Sequence, residues 1–298
     1  MPGSTRGCAA RGLMTRSPFQ LALQRLLRNR VAIVGGSLLT LIALACVLLP
    51  VLLKLDPNLT QPALRNQPPS ARFLFGTDGL GRDLVARVLV GGRTSLLVGL
   101  AATAVSVLVG VAYGAIAGFY GGKIDEAMMR LVDFMYGLPY MFLVILIMLM
   151  FSETARGDML PVFLALGLVQ WLTMARIVRG QVLALRRQEF VLAAELLGVS
   201  DARLLIRHVL PNVFGVIMVY ATLMVPSVII LESFLSFLGL GVALSWGQLV
   251  SDGIAVINPI RSYWWILLWP SLFLAITLVS LNFLGDGLRD ALDPKGKT

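Results

Sequence analysis

The chain has 298 residues, 57% of them hydrophobic and 14% charged, with a net charge of +9. A mean hydropathy of +0.84 lies far outside the range of a soluble domain and indicates an integral membrane protein. The single histidine excludes a His-Glu-x-x-His zinc site and a haem held by two histidines, and the two cysteines, Cys8 and Cys46, are placed where no structural disulfide is expected.

Residues 1–30 are polar and basic and read as a tail. Six runs without Asp, Glu, Lys or Arg follow, at 31–53, 95–119, 134–151, 159–175, 213–231 and 263–284. Each approaches the roughly 20 residues that a helix needs to cross a hydrocarbon core of about 30 Å. Their continuity predicts helices rather than the short alternating strands of a barrel. The first run is too long and too far from the N-terminus for a signal peptide and is kept as a membrane helix.

Between the first two runs lies a polar segment, 54–94, that contains "GTDGLGRD". Gly76, Gly79 and Gly81 are spaced like a tight turn that Asp78, Arg82 and Asp83 can cross-link, so a structural clamp is expected there. Its Gly-x-Gly is not a nucleotide loop, because no strand precedes it. With the N-terminus inside, 17 of the 25 Lys and Arg residues fall on the cytoplasmic side, which predicts that both termini, including a tail over 285–298, are cytoplasmic. The positive charge then reflects topology and anionic inner-leaflet lipid rather than nucleic acid. The final "DPKGKT" imitates a phosphate-binding loop, but Ala291 stands where the first glycine belongs and no helix follows. No catalytic residue, metal site or bound cofactor is expected.

The stretch "EFVLAAELLGVSDARLLIRHVLPN" (189–212) is a polar insert between two runs. Gly198 ends a first helix, Ser200 and Asp201 cap a second, and Pro211 is expected to stop it after residue 209. Arg203 and Arg207 share one face; Ala202, Leu205, Ile206 and Val209 share the other. Such a pair of short helices suits docking to another protein, with an amphipathic connector on the lipid surface as the other reading. His208 is expected to make a polar contact at a helix end. Among ionisable groups near membrane depth, Asp133 is expected to pair with Arg130. Glu232 either faces the outer gate or anchors "SFLSFLGLG" through serine hydroxyls, and Asn282 lines the path or bonds a neighbouring helix.

The insert resembles the EAA loop of ABC importer permeases in Ala193, Ala194, Gly198, Leu210 and Pro211, with Leu192 where the pattern has glutamate and Glu195 as a partial replacement. The segments "LFGTDGLGRDLVARVLVGGRTSLLVGL", "GFYGGKIDEAMMRLVDFMYGLP", "SFLSFLGLGV", "SWGQLV" and "NFLGDGLRDALDP" are similar, in order, to the C-type permease of the dipeptide, oligopeptide and nickel branch. The link "GLGVALSWG" lacks the proline-rich insertion that relatives often carry there. The resemblance implies an all-α polytopic protein of the type I importer permease fold, with a core over 95–284 and an extra first helix over 31–53. It implies ATP-driven uptake of peptides or a related small solute across the bacterial cytoplasmic membrane. Its partners would be a second permease, two ATPase subunits that hold the ATP and Mg, and an extracytoplasmic binding protein. It assigns ATPase coupling to Ala193, Ala194, Glu195, Gly198, Ser200, Asp201, Arg203, Arg207, His208 and Pro211. A gradient-driven secondary transporter is the alternative from another class.

Overall fold

The computed structural model describes residues 24–150, 159–257 and 262–292. Asn29 opens helix α1 (Arg30–Leu52) by accepting hydrogen bonds from the amides of Val31 and Ala32 at 3.1 and 3.3 Å. A loop with one short 3-10 turn leads to α2 (Leu84–Tyr120), a helix of 37 residues capped by Asp83. Then come α3 (Gly122–Tyr136), α4 (Tyr140–Met150), α5 (Met159–Arg186), α6 (Glu189–Leu196), α7 (Asp201–Leu204), α8 (Leu210–Phe237), α9 (Trp246–Ala255) and α10 (Trp264–Leu292). Among the described residues the only sheet-like pairing is an isolated bridge between Thr77 and Asp83.

Five helical stretches are long and apolar enough to cross a membrane, and α3 with α4 makes a sixth only if a bend of 87° is allowed within one span. The uncharged run 134–151 straddles a break at Gly137–Leu138–Pro139, because proline lacks the amide proton and its ring opposes continuation of the helix. Helix α2 begins at Leu84, eleven residues before the uncharged run, and Arg87 in its first turn is buried with carboxylate partners.

The packing of α2 on α5 uses glycines at every fourth residue. A Cβ on Gly110, Gly114 or Gly118 would sit 2.7, 2.3 or 2.7 Å from the carbonyl oxygens of Trp171, Ala175 and Arg179, so the backbones are in direct contact. Between apolar helices in lipid such close approach is the main source of association. Helix α8 packs on the other side of α2, where Gly99 meets Ile229, and α1 lies outside against α10, where Gly35 meets Phe283 and the Ser280 carbonyl. The bundle has two ends: one carries α6 and α7, the other the 61–83 loop, α9 and the start of α10.

Candidate functional site

At the first end, Val191, Leu204, Val209 and Val213 are buried against Phe119 of α2 and Met174, Val178 and Val182 of α5, with Ala194, Val199 and Leu205 half-buried beside them. This apolar underside fixes α6 and α7 to the bundle. The expected apolar face of the second helix is corrected here: Ala202 is exposed and Ile206 is 65% exposed, while Leu204 takes their place.

Helix α6 ends in a glycine turn. The amide of Gly198 donates to the Glu195 carbonyl at 3.0 Å, that of Val199 donates to the Ala194 carbonyl at 3.2 Å, and Gly198 has φ of +76°. This is the hydrogen-bond pattern of a Schellman cap, which needs a residue tolerant of positive φ. Ser200 stands at the N-cap of α7 with extended backbone, but its hydroxyl makes no capping bond; Asp201 occupies the first turn. The predicted stop at Pro211 is overturned. Residues 205–209 form a π turn in which the Leu210 amide bonds to the Leu205 carbonyl, and the helix runs unbroken from 201 to 237. A shift from the i−4 to the i−5 ladder accommodates a proline that cannot donate in the next turn. The short segment α7 and the long helix α8 are therefore one continuous helix.

The exposed side of this end mixes large apolar residues with charged ones. Leu196 and Leu197 are 89% and 85% exposed, flanked by the exposed Phe190, Leu192 and Ile206. Ala193, Glu195, Arg203 and Arg207 are also exposed, and His208 is half-buried, its carbonyl accepting from Asn212 Nδ2 at 2.6 Å. The exposure of Leu196 and Leu197 was not read from the sequence, although two leucines before a helix-ending glycine, on a segment too polar to span, were a readable signal.

At the opposite end the "GTDGLGRD" residues close on one another and on distant helices. Asp78 accepts from the amides of Leu80 and Arg82 at 2.9 Å each, from Arg82 Nε at 2.7 Å and from Arg87 Nη1 at 2.7 Å. Arg87 reaches Asp252 of α9 at 3.4 Å, and Gln248 also holds Asp252. Trp265 of α10 donates to the Thr77 carbonyl. Gly76 and Gly81 have positive φ, and a Cβ on Gly81 would lie 1.9 Å from the Gln61 carbonyl oxygen. Asp83 does not join the cross-link; its carboxylate caps α2 through the Val85 amide at 2.9 Å. Burial alone would raise the Asp78 carboxyl, but the Arg82 and Leu80 amides and the Arg82 and Arg87 guanidiniums outweigh it and hold it below the usual carboxylate range.

A depressed folded value stabilises above the unfolded value of about 4 and is lost as pH falls through the folded one. Purified protein is therefore expected to keep its thermal stability from pH 8 to 5 and to lose it below about pH 4, whereas Asp78→Asn starts lower and loses less; parallel pH profiles would contradict the clamp.

Glu232 is fully buried and faces neither an open gate nor another charge. Ser236 Oγ donates to it at 2.7 Å and Ser95 Oγ lies at 3.4 Å, while Ser236 and Ser245 hydroxyls meet at 3.1 Å. This cage joins α2, α8 and the start of α9. Asn282 is exposed, and its side chain donates to the Leu278 carbonyl of its own helix at 2.9 Å rather than to a neighbouring helix of the chain. Asp133 pairs with Arg176 of α5 at 2.5 Å, while Arg130 pairs with Glu126; the expected Asp133–Arg130 pair is not formed. Among the described residues no group of His, Cys, Asp or Glu could hold a metal.

The family model described as "Binding-protein-dependent transport system inner membrane component" matches residues 110–297, and that described as "N-terminal TM domain of oligopeptide transport permease C" matches 17–69. The chain is 49% identical over 287 residues to "Oligopeptide transport system permease protein OppC" of Escherichia coli (strain K12), covering 95% of this chain and 93% of that one. It is 43% identical to the protein of the same name in Bacillus subtilis (strain 168), covering 92% and 88%. It is likewise 43% identical to "Dipeptide transport system permease protein DppC" of that organism, covering 93% and 85%.

Proposed function

Because the chain belongs to the family of binding-protein-dependent transport system inner membrane components, we propose that it forms one half of the path of an ATP-driven peptide importer, with α6 and α7 as its dock for an ATPase subunit. It is a multi-pass membrane protein and a permease subunit of a multi-subunit transporter. The observation that carries the coupling role is the exposed apolar face of Phe190, Leu192, Leu196, Leu197 and Ile206 on a segment whose underside is buried in the bundle. Relatives named for oligopeptide and dipeptide transport support a peptide substrate. The end that carries α6 and α7 is then cytoplasmic, as are both termini, and the Asp78 clamp faces outward.

In this reading a second, similar permease completes the path, a binding protein delivers the peptide from outside, and two ATPase subunits bind ATP and Mg. This chain hydrolyses nothing. Closure of the ATPase pair pulls the docks together. Since α7 and α8 are one rod, the pull is delivered to the span without a hinge between them, and Gly198 sets the angle to α6. Ala193 and Glu195 are exposed on α6, Ser200 and Asp201 start the rod, and Arg203 and Arg207, which meet no acid among the described residues, are placed to pair with acids of the ATPase. His208 lies within the π turn of that rod, and Pro211 follows it in the first turn of α8.

The test is uptake of labelled peptide by liposomes that contain the reconstituted complex. Uptake is expected to require ATP and to survive collapse of ion gradients. Uptake that persists without ATP and stops when the gradient is dissipated would establish the secondary transporter instead.

A further inference from the structure

Five polar side chains on α3 and α5 stand together on an open face of the chain. Arg176 pairs with Asp133 at 2.5 Å, with 46% and 65% of the two side chains exposed, and its guanidinium lies 4.0 Å from the centre of the Tyr136 ring. Tyr136 is 44% exposed and its hydroxyl meets that of Thr173 at 2.9 Å. Gln170 lies one helical turn before Thr173 on α5, half-buried. The cluster adjoins the break between α3 and α4, where two helix axes diverge by 87°.

Depth decides what this face meets. Arg176 is 17 residues from Met159, the first residue of α5, or about 26 Å at about 1.5 Å per residue, which places it close to the α6 end of a core of about 30 Å counted from Met159. Charged side chains within membrane helices face a bundle interior or a water-filled cavity in most cases, and those near the end of a span also reach the aqueous interface. The chain's own interior does not cover them, whereas the next ion pair along α5, Arg179 with Asp125, is mostly covered. Breaks in membrane helices are also where backbone and side chains become available to a passing solute.

We propose that Asp133, Tyr136, Gln170, Thr173 and Arg176 form a transient contact site for the main chain of a zwitterionic peptide inside the path. The proposal rests on the importer reading above. The planar guanidinium of Arg176 suits the peptide carboxylate, and the Asp133 carboxylate suits the terminal ammonium. Hydroxyl and amide groups of Tyr136, Thr173 and Gln170 match peptide N–H and C=O groups. Between passages Arg176 and Asp133 neutralise each other, so a peptide exchanges one ion pair for two and leaves by the reverse exchange. Affinity stays modest, as conduction requires. The site reads termini and main chain, so it tolerates varied side chains.

The test uses the reconstituted complex with trialanine and trialanine amide, each supplied on saturating binding protein. Arg176→Gln is expected to lower trialanine uptake about ten-fold, the loss of one charge-assisted contact, while the amide changes less than about two-fold. Arg130→Gln, which removes an exposed pair on α3 outside the cluster, should change neither. Equal losses for both peptides would make the pair a strut, and no loss for either would remove it from the path; each result overturns the proposal. If Arg176→Gln is not recovered in the complex, Arg176→Lys keeps the charge without the fork and is read by the same ratio. Failure of the importer reading would show differently, as no ATP-driven uptake by the parent complex.

Discussion

Replacing Gly198 with arginine is expected to leave the protein inserted and assembled while abolishing solute-stimulated ATP hydrolysis. No atom lies within 4 Å of a Cβ built on Gly198, so the new side chain meets open space. The cost comes from φ of +76°, which an L-residue adopts at about 1–2 kcal/mol. A membrane bundle withstands that, but the local turn relaxes toward negative φ. Relaxation breaks the Gly198–Glu195 and Val199–Ala194 hydrogen bonds and reorients α6 against the rod of α7 and α8. Leu196 and Leu197 on one side of the turn and Ile206 on the other then cannot enter one groove together. Gly198→Ala carries the same φ strain and should lose stimulation by the same route. Stimulation in the arginine variant equal to the parent's would refute the coupling role of the turn.

Gly114→Leu is expected to reduce the amount of extractable, monodisperse protein at least about ten-fold, since overpacked contacts commonly cost about 1–3 kcal/mol and backbone contact leaves no room to relax. A Cβ there would sit 2.3 Å from the Ala175 carbonyl oxygen and 3.0 Å from its Cα, so α2 and α5 must separate along their whole glycine seam. Gly180→Leu is the control on the partner helix α5, where nothing approaches within 4 Å of the added Cβ. Size-exclusion profiles of the two variants should differ sharply. Similar yields would mean that the close packing of α2 on α5 is not required for folding.

What the sequence revealed and what it hid follow from whether the determining interaction was local. Apolar runs disclosed the spans, because hydropathy over about 20 residues is a property of contiguous sequence. Gly198 was legible for the same reason: a glycine after a helix-forming run needs no distant partner. Two signals misled by being read too locally. Arg87 made residues 84–94 look like a loop, but its charge is met by Asp78 and by Asp252, 165 positions away. Pro211 looked like a stop, but the preceding π turn carries the helix through it. The serine cage around Glu232 was invisible beyond Ser236, since Ser95 is 137 positions away and Ser245 lies on another element. Gly110, Gly114 and Gly118 repeat at the spacing of a helix-packing seam and were readable in principle.

The central claim is that the exposed leucines beside Gly198 hold an ATPase subunit. It is tested most directly by purifying the parent complex and a Leu196→Glu, Leu197→Glu variant in mild detergent and quantifying every retained subunit by mass spectrometry. The two leucines are the most exposed large hydrophobic residues of the described chain and touch little within it, so the variant should still insert and keep its second permease. The parent is expected to retain ATPase subunits in stoichiometric amounts and the variant to lose them. Equal retention of ATPase by both proteins, or a parent that purifies alone while its partners are expressed, would contradict the account.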